Sequence, residues 1–153
     1  MIVDNIFQIA YVTRNIDKAM ATFRAQADLR TEYYTETEYT VKSPAGPRDM
    51  HVKLAFMWVG DFHYELIEPI AGLEDIWGPA LPQDDSLGFH HICMRVWDWD
   101  KFRSDVERQP YPIAFEGGSG PNYFLYLDAR KTLGHFLEYA YLPDEIWKAT
   151  GGR

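Results

Sequence analysis

From residue 5 the chain runs Asn-Ile-Phe-Gln-Ile-Ala-Tyr-Val-Thr, a β-branched and aromatic segment that predicts a strand over 5–13. Apolar spacing then changes. Ile16, Met20 and Phe23 recur at i, i+4 and i+7 behind Asn15, a helix N-cap residue, with Asp17 in the first turn. The helix should stop before Asp28. Residues 31–42 alternate Thr and Tyr with Glu and predict a strand with a polar face, and Ser43-Pro44-Ala45-Gly46-Pro47 is turn chemistry. Two further strands, Val52 to Val59 and Phe62 to Glu68, flank Gly60-Asp61, and Pro69 should end the second.

Residues 70–87 carry Gly72, Gly78, Pro79 and Pro82 and read as a linker, after which the pattern restarts. Phe89 to Trp97 predicts a strand. Asp98 is a second N-cap, and Trp99, Phe102 and Val106 stripe a second helix that Pro110 and Pro112 end. A short strand at 113–116, a loop at Gly117–Pro121, and strands at Tyr123–Asp128 and Phe136–Leu142 follow. The order is βαβββ, linker, βαβββ. With Gln8 laid over His91, an offset of 83, Ile9 meets Ile92, Asp17 meets Asp100 and Lys18 meets Lys101. Near the end of each half, Glu65 to Pro69 lies over Glu138 to Leu142 with an offset of 73, the difference fitting a longer loop around Pro44–Asp49. The chain therefore reads as one domain over 1–153, with one module at about 5–69 and its copy at about 88–142.

The duplication sharpens the candidate chemistry. Each half offers a polar residue on its first strand and a carboxylate on its last: Gln8 and Glu65, then His91 and Glu138. Both Glu residues sit between apolar neighbours on predicted strands, where a buried charge is costly unless it is paired or coordinated. Two carboxylates, an imidazole and an amide suit a divalent ion such as Zn, Ni, Co, Mn or Fe(II), and they are not a soft thiolate set. Taken singly, each has a plain structural reading: a wet strand Glu on an open sheet face, or a hydrogen-bonded core His. Their equivalent placement in two copies is what favours a site.

Gln8-Ile9, Glu65-Leu66-Ile67-Glu68-Pro69, Gly88-Phe89-His90-His91-Ile92 and Gly134-His135-Phe136-Leu137-Glu138 resemble the vicinal oxygen chelate superfamily. This group includes glyoxalase I, methylmalonyl-CoA epimerase, extradiol dioxygenases and the bleomycin and fosfomycin resistance proteins. The resemblance spans about residues 5–142. It implies an α+β fold in which two tandem βαβββ modules form an incomplete barrel around a metal trough, with Gln8, Glu65, His91 and Glu138 as ligands. His90 should then point to the helix side. Glu-Leu-Ile-Glu-Pro and Gly-Phe-His-His-Ile look most like the epimerase, whereas the Gln/Glu/His/Glu set is that of animal-type glyoxalase I. Val12 stands where that enzyme carries a glutathione-binding Arg. An extradiol dioxygenase needs two His, and Gln8 removes one.

What the resemblance implies mechanistically is a Lewis acid beside a carbonyl, with Glu138 or Glu65 as the base that removes the adjacent proton. Strand alternation puts Arg95 on the trough face, where a guanidinium could hold a substrate carboxylate or phosphate. His63, Phe56, Trp58, Trp97, Tyr123 and Tyr126 are candidate substrate contacts, with strand packing as their plain alternative. The activities that follow are an isomerase, epimerase or lyase, against a non-catalytic protein of the same fold that sequesters an aromatic molecule. Homodimers are common in the superfamily.

Composition narrows the ligand. The 153 residues carry 15 Lys and Arg against 23 Asp and Glu, a net charge of −8, which excludes the basic face of a nucleic-acid binder and disfavours anionic membranes. Such a protein is also a poor host for a polyanionic CoA thioester. Nine Phe, five Trp and ten Tyr make 16% of the chain, rings enough to line a pocket for a hydrophobic or aromatic small molecule. One cysteine, Cys93, excludes an internal disulfide framework. With no basic-then-apolar leader in Met1 to Gln8 and no membrane-length apolar run, the expectation is a soluble cytoplasmic protein.

Overall fold

The computed structural model describes residues 3–153; Met1 and Ile2, where the segment read for a targeting signal begins, lie outside them. Eight strands form one sheet: β1 (Ile6–Val12), β2 (Leu29–Ser43), β3 (Gly46–Val59), β4 (Phe62–Ala71), β5 (Gly88–Val96), β6 (Ile113–Ser119), β7 (Asn122–Asp128) and β8 (Phe136–Tyr141). Around the barrel they run β1-β4-β3-β2-β6-β7-β8-β5. Each half follows one rule: its first strand pairs parallel with its last, and the other neighbours are antiparallel. β1 and β5 join the halves as an antiparallel pair. The sheet also closes on the far side, where the resemblance implied an incomplete barrel. That closure rests on one residue pair, Lys42 opposite Glu116.

Helices α1 (Ile16–Gln26) and α3 (Trp99–Val106) start as their caps predict. The Asn15 Oδ1 accepts the Lys18 backbone N–H at 3.0 Å, and the Asp98 Oδ1 accepts that of Lys101 at 2.9 Å. Each such cap contributes about 1 kcal/mol. α1 buries Ile16, Ala19 and Met20 against Ala55, Met57 and Leu66. α3 buries Val106, with Trp99 and Phe102 packed beside it, against Met94, Leu125, Leu127 and Leu137. Leu66 thus faces α1, while its neighbour Ile67 joins a different cluster with Val12, Val52, Phe115 and Phe136. Period-2 alternation separates the two, outside and inside.

Several boundaries differ from the sequence reading. β3 begins at Gly46, so Pro47 is a strand residue. Pro69 does not end β4: it sits opposite Val52 beside a register shift, a position where a missing N–H costs no ladder bond. β6 runs on through Gly117, Gly118 and Ser119 into the hairpin. The stretch 70–87 is more than a linker. Helix α2 (Glu74–Trp77) and a 3₁₀ turn at Gly78–Ala80 put Leu73, Ile76 and Trp77 into the inner core. Gly72 makes the approach possible, because a Cβ there would lie 2.1 Å from the Asp49 carbonyl oxygen. A short α4 (Arg130–Leu133) precedes β8, and α5 (Asp144–Ala149) folds back over the barrel. No helix among the described residues is long and apolar enough to cross a membrane.

Candidate metal centre

Glu65 on β4, His91 on β5 and Glu138 on β8 meet inside the barrel, buried, with one ligand atom from each lying within 4.8 Å of the others. His91 Nε2 is 2.9 Å from Glu138 Oε2 and 3.3 Å from Glu65 Oε2. Gln8, on β1, donates from Nε2 to Glu65 Oε2 at 2.6 Å. The four residues read from the two halves therefore form one cluster. Register explains it. Gln8 lies opposite His63 and His91 opposite Phe136, so in each half the carboxylate stands two residues beyond its partner's level, on the same face.

Two irregularities in the β1–β5 pairing enrich the site. Between Ile6 and Gln8 the register shifts, and both Phe7 and Gln8 reach the interior. Ala10 faces His91 while Tyr11 faces Phe89, which leaves His90 as the extra residue. His90 consequently points inward, against the expectation that it would lie on the helix side of the sheet, and packs on α2. Its Nε2 meets the Ile76 carbonyl at 3.1 Å, and its ring packs on Trp77 and Phe136.

Burial and proximity set the protonation. Burial pushes the Glu65 carboxyl up, helped by Glu138 and opposed by His91 and Gln8. Burial pulls His91 down, but Glu138 and Glu65 beside the ring outweigh it and hold the imidazole at about 9. His90, buried and next to His91, is driven well below the ordinary histidine value. Burial lifts the Cys93 thiol and the Tyr126 phenol, with Glu138 adding to both. Two buried carboxyl groups thus share one imidazole, with no Lys or Arg beside them in the cavity wall among the described residues. The buried Glu138 Oε2 meets His91 Nε2 at 2.9 Å as an ion pair and has no further hydrogen-bond partner. That electron-rich gap, lined by carboxylate oxygens and one imidazole nitrogen, fits a divalent cation.

A cavity of about 840 Å³ opens from the cluster. Of the expected substrate contacts, His63, Phe56, Trp58, Tyr123 and Tyr126 line it. Arg95 and Trp97 do not. Arg95 pairs with Asp144 at 2.6 Å, and its guanidinium lies 4.2 Å over the ring of Trp147, which forms the wall instead. Trp97 falls beyond the end of β5, more than half exposed, with Arg95 over its ring. The charged side chains in the wall are Glu32, Glu38, Glu65 and Glu138, with no Lys or Arg among the described residues. Sequence reasoning missed three contributors. Phe7 was read only as part of the first strand, Trp77 lay in the supposed linker, and Trp147 lies beyond the last predicted strand. The signal that could have found them is the aromatic content itself, which called for a ring-lined pocket without saying which rings line it.

The sequence profile of the glyoxalase/bleomycin resistance protein/dioxygenase superfamily matches residues 7–126, and the chain belongs to that superfamily. No curated protein matches it in sequence. Among solved structures, methylmalonyl-CoA epimerase from Mycobacterium tuberculosis superposes with a TM-score of 0.65 at 12% identity, covering 96% of this chain and 93% of the epimerase. The Streptomyces coelicolor epimerase, solved with 2-nitronate-propionyl-CoA, gives 0.63 at 17% identity over 91% and 97%. A hypothetical protein from Bacillus halodurans gives 0.62 at 16% over 92% and 95%. These likenesses show the shared fold.

Proposed function

We propose that this protein is a divalent-metal-dependent isomerase, epimerase or lyase that removes a proton next to the carbonyl of a hydrophobic or aromatic small molecule. The observation that carries the reading is the buried Glu65, His91 and Glu138 cluster at the wall of an aromatic cavity. Glu65, His91 and Glu138 would hold the ion, with Gln8 as a fourth donor through its amide oxygen. A bound divalent ion supplies Lewis-acid polarisation of the carbonyl. Glu138 or Glu65 accepts the proton at a carboxylate oxygen. Burial raises Glu65, which suits a base that must later return the proton. Phe56, Trp58 and Tyr123 supply apolar contact for the rest of the molecule and keep water from the reacting carbon.

The wall chemistry supports an uncharged or aromatic substrate over an acyl-CoA, because four carboxylates and no cation would meet a polyanion. Val12 in place of an Arg speaks against glutathione on the same ground. One histidine in the cluster leaves an extradiol dioxygenase with too few imidazole ligands. The free, buried Cys93 is compatible with a reducing cytoplasm, and a homodimer is the assembly the superfamily suggests.

The test is solvent exchange. Metal-loaded protein in D₂O should catalyse deuterium incorporation next to the carbonyl in a panel of neutral α-hydroxy aryl ketones. The same ring-lined cavity also suits sequestration. Tight aromatic binding by metal-free protein, with no exchange across the panel, would favour that second reading.

A further inference from the structure

His90 and His91 touch through like atoms: the Nδ1 of one ring lies 2.9 Å from the Nδ1 of the other. At that distance one nitrogen donates and the other accepts, since two protons clash and two lone pairs repel. The far side of His90 decides which. Its Nε2 lies 3.1 Å from the Ile76 carbonyl oxygen, which can only accept. The His90 proton is therefore at Nε2, and its Nδ1 presents a lone pair. A His90 protonated at both nitrogens would put a cation on a ring 2% exposed, packed between Trp77 and Phe136. No carboxylate pairs with it among the described residues, whereas His91 has two within 3.3 Å. His91 therefore carries a proton at Nδ1, directed at His90. Its Nε2 is left facing Glu65, Glu138 and the Tyr126 hydroxyl, the last at 3.4 Å.

We infer that His90 is a positioning residue for the metal centre: by accepting the His91 Nδ1–H, it fixes that proton at Nδ1, so that Nε2 is the nitrogen that gives up its proton and offers its lone pair to a divalent cation. In the opposite tautomer the Nε2–H would occupy the coordination position. His90 keeps the same proton whether or not a cation is bound, so it acts through hydrogen-bond direction alone. The chain from Ile76 O through His90 to His91 also gives the segment 70–87 a part in the site. The β1–β5 bulge makes the chain possible, because regular alternation would put adjacent histidines on opposite faces. The inference rests on the metal reading above, but the His90 tautomer is measurable without any metal.

The test is a crossed pair of substitutions in the full-length chain, with Zn²⁺ and Co²⁺ as probes. In His90→Asn the side-chain oxygen replaces Nδ1, so the acceptor for His91 survives while the bond to Ile76 is lost. In His90→Gln the amide nitrogen replaces Nε2, so the Ile76 bond survives and the acceptor is lost. Titration calorimetry should find His90→Asn within about threefold of wild type and His90→Gln weaker by about tenfold or more, the usual cost of removing a ligand's orienting partner. A merely structural His90 would give the reverse order or equal losses, and either result overturns the inference. ¹⁵N shifts in the wild-type protein provide a readout independent of how the variants fold. Metal-free protein should show His90 protonated at Nε2 only, and His90 protonated at Nδ1 would overturn the inference. Failure of wild-type protein to bind either ion would instead strike the metal reading.

Discussion

Gln8 Nε2 donates to Glu65 Oε2 at 2.6 Å, so the amide faces the carboxylate nitrogen-first and meets part of its demand for donors. A cation at the cluster requires the amide to present its oxygen. Gln8→Glu removes the donor and adds a third carboxylate beside a single imidazole. The metal-free variant should lose about 3 kcal/mol, as uncompensated buried charge does. Zn²⁺ should recover most of that, so the rise in melting temperature on adding metal should exceed the wild-type rise. Calorimetric melting with and without Zn²⁺ checks both halves of the expectation.

The two carboxylates are not equivalent. Glu65 Oε2 is tied to Gln8 at 2.6 Å and lies 3.3 Å from His91, while Glu138 Oε2 has His91 Nε2 alone beside it, at 2.9 Å. Glu65→Gln and Glu138→Gln preserve shape and remove the negative charge. One of them should lower solvent exchange at the substrate carbon by about 10²–10⁴-fold, the range for loss of a general base. The other should act mainly through weaker metal binding. Exchange retained in both variants would remove the proposed proton transfer.

His63 gives a pH signature. Burial among Phe7, Phe56 and Trp58 lowers it to about 4, against an ordinary value of 6.5. Between those values the unfolded chain binds the proton and the folded chain does not. The contribution to stability is therefore complete above pH 6.5 and is lost as pH falls towards 4, by roughly 2–3 kcal/mol. His63→Phe keeps the ring stack and removes the titration. Urea unfolding between pH 4.5 and 7.5 should show a shallower dependence in the variant than in wild type.

Trp147 should separate the cavity from the metal centre. Its ring packs edge-on to Phe7 and Trp58 at 4.9 and 5.7 Å, under the Arg95 guanidinium. The Trp58 Nε1 and the Arg30 Nη1 hold the following Thr150 and Gly151 carbonyls at 2.8 and 2.6 Å. Trp147→Ala should cost about 3–5 kcal/mol and open that end of the chamber. Aromatic ligands should bind more weakly, while Zn²⁺ affinity stays near wild type. Fluorescence titration with a neutral aromatic ketone beside Zn²⁺ calorimetry reads the two separately.

Most of the frame was legible from local signals. Asn15 and Asp98 announce their helices because an Asx side chain satisfies open N–H groups, and Ile16/Met20 and Trp99/Phe102 mark faces that must be covered. The offset of His91 from Gln8 and of Glu138 from Glu65 anticipated the cluster, since equivalent strands place equivalent residues on one inner face. What escaped were departures from regular alternation and contacts set by tertiary packing. The β1–β5 bulges bring Phe7 and His90 inward, which period-2 counting forbids. Leu73, Ile76 and Trp77 form too short a run to declare a helix, and they fold because the barrel needs an inner plug. Arg95 does lie beyond His91 and Cys93 on its strand, but α5 interposes Trp147 and Asp144 between it and the cavity. Closure of the barrel through Lys42 and Glu116 depends on the curvature of the whole sheet, which no single strand encodes.

Glu65, His91 and Glu138 are proposed to hold a divalent ion. Elemental analysis of protein purified without chelators, beside His91→Ala prepared in the same way, tests it most directly. Wild-type protein should carry about one divalent ion per chain and His91→Ala far less, with both proteins folded by circular dichroism. No stoichiometric ion in wild-type protein even after Zn²⁺ loading and dialysis, or an ion content unaltered by His91→Ala, would contradict it.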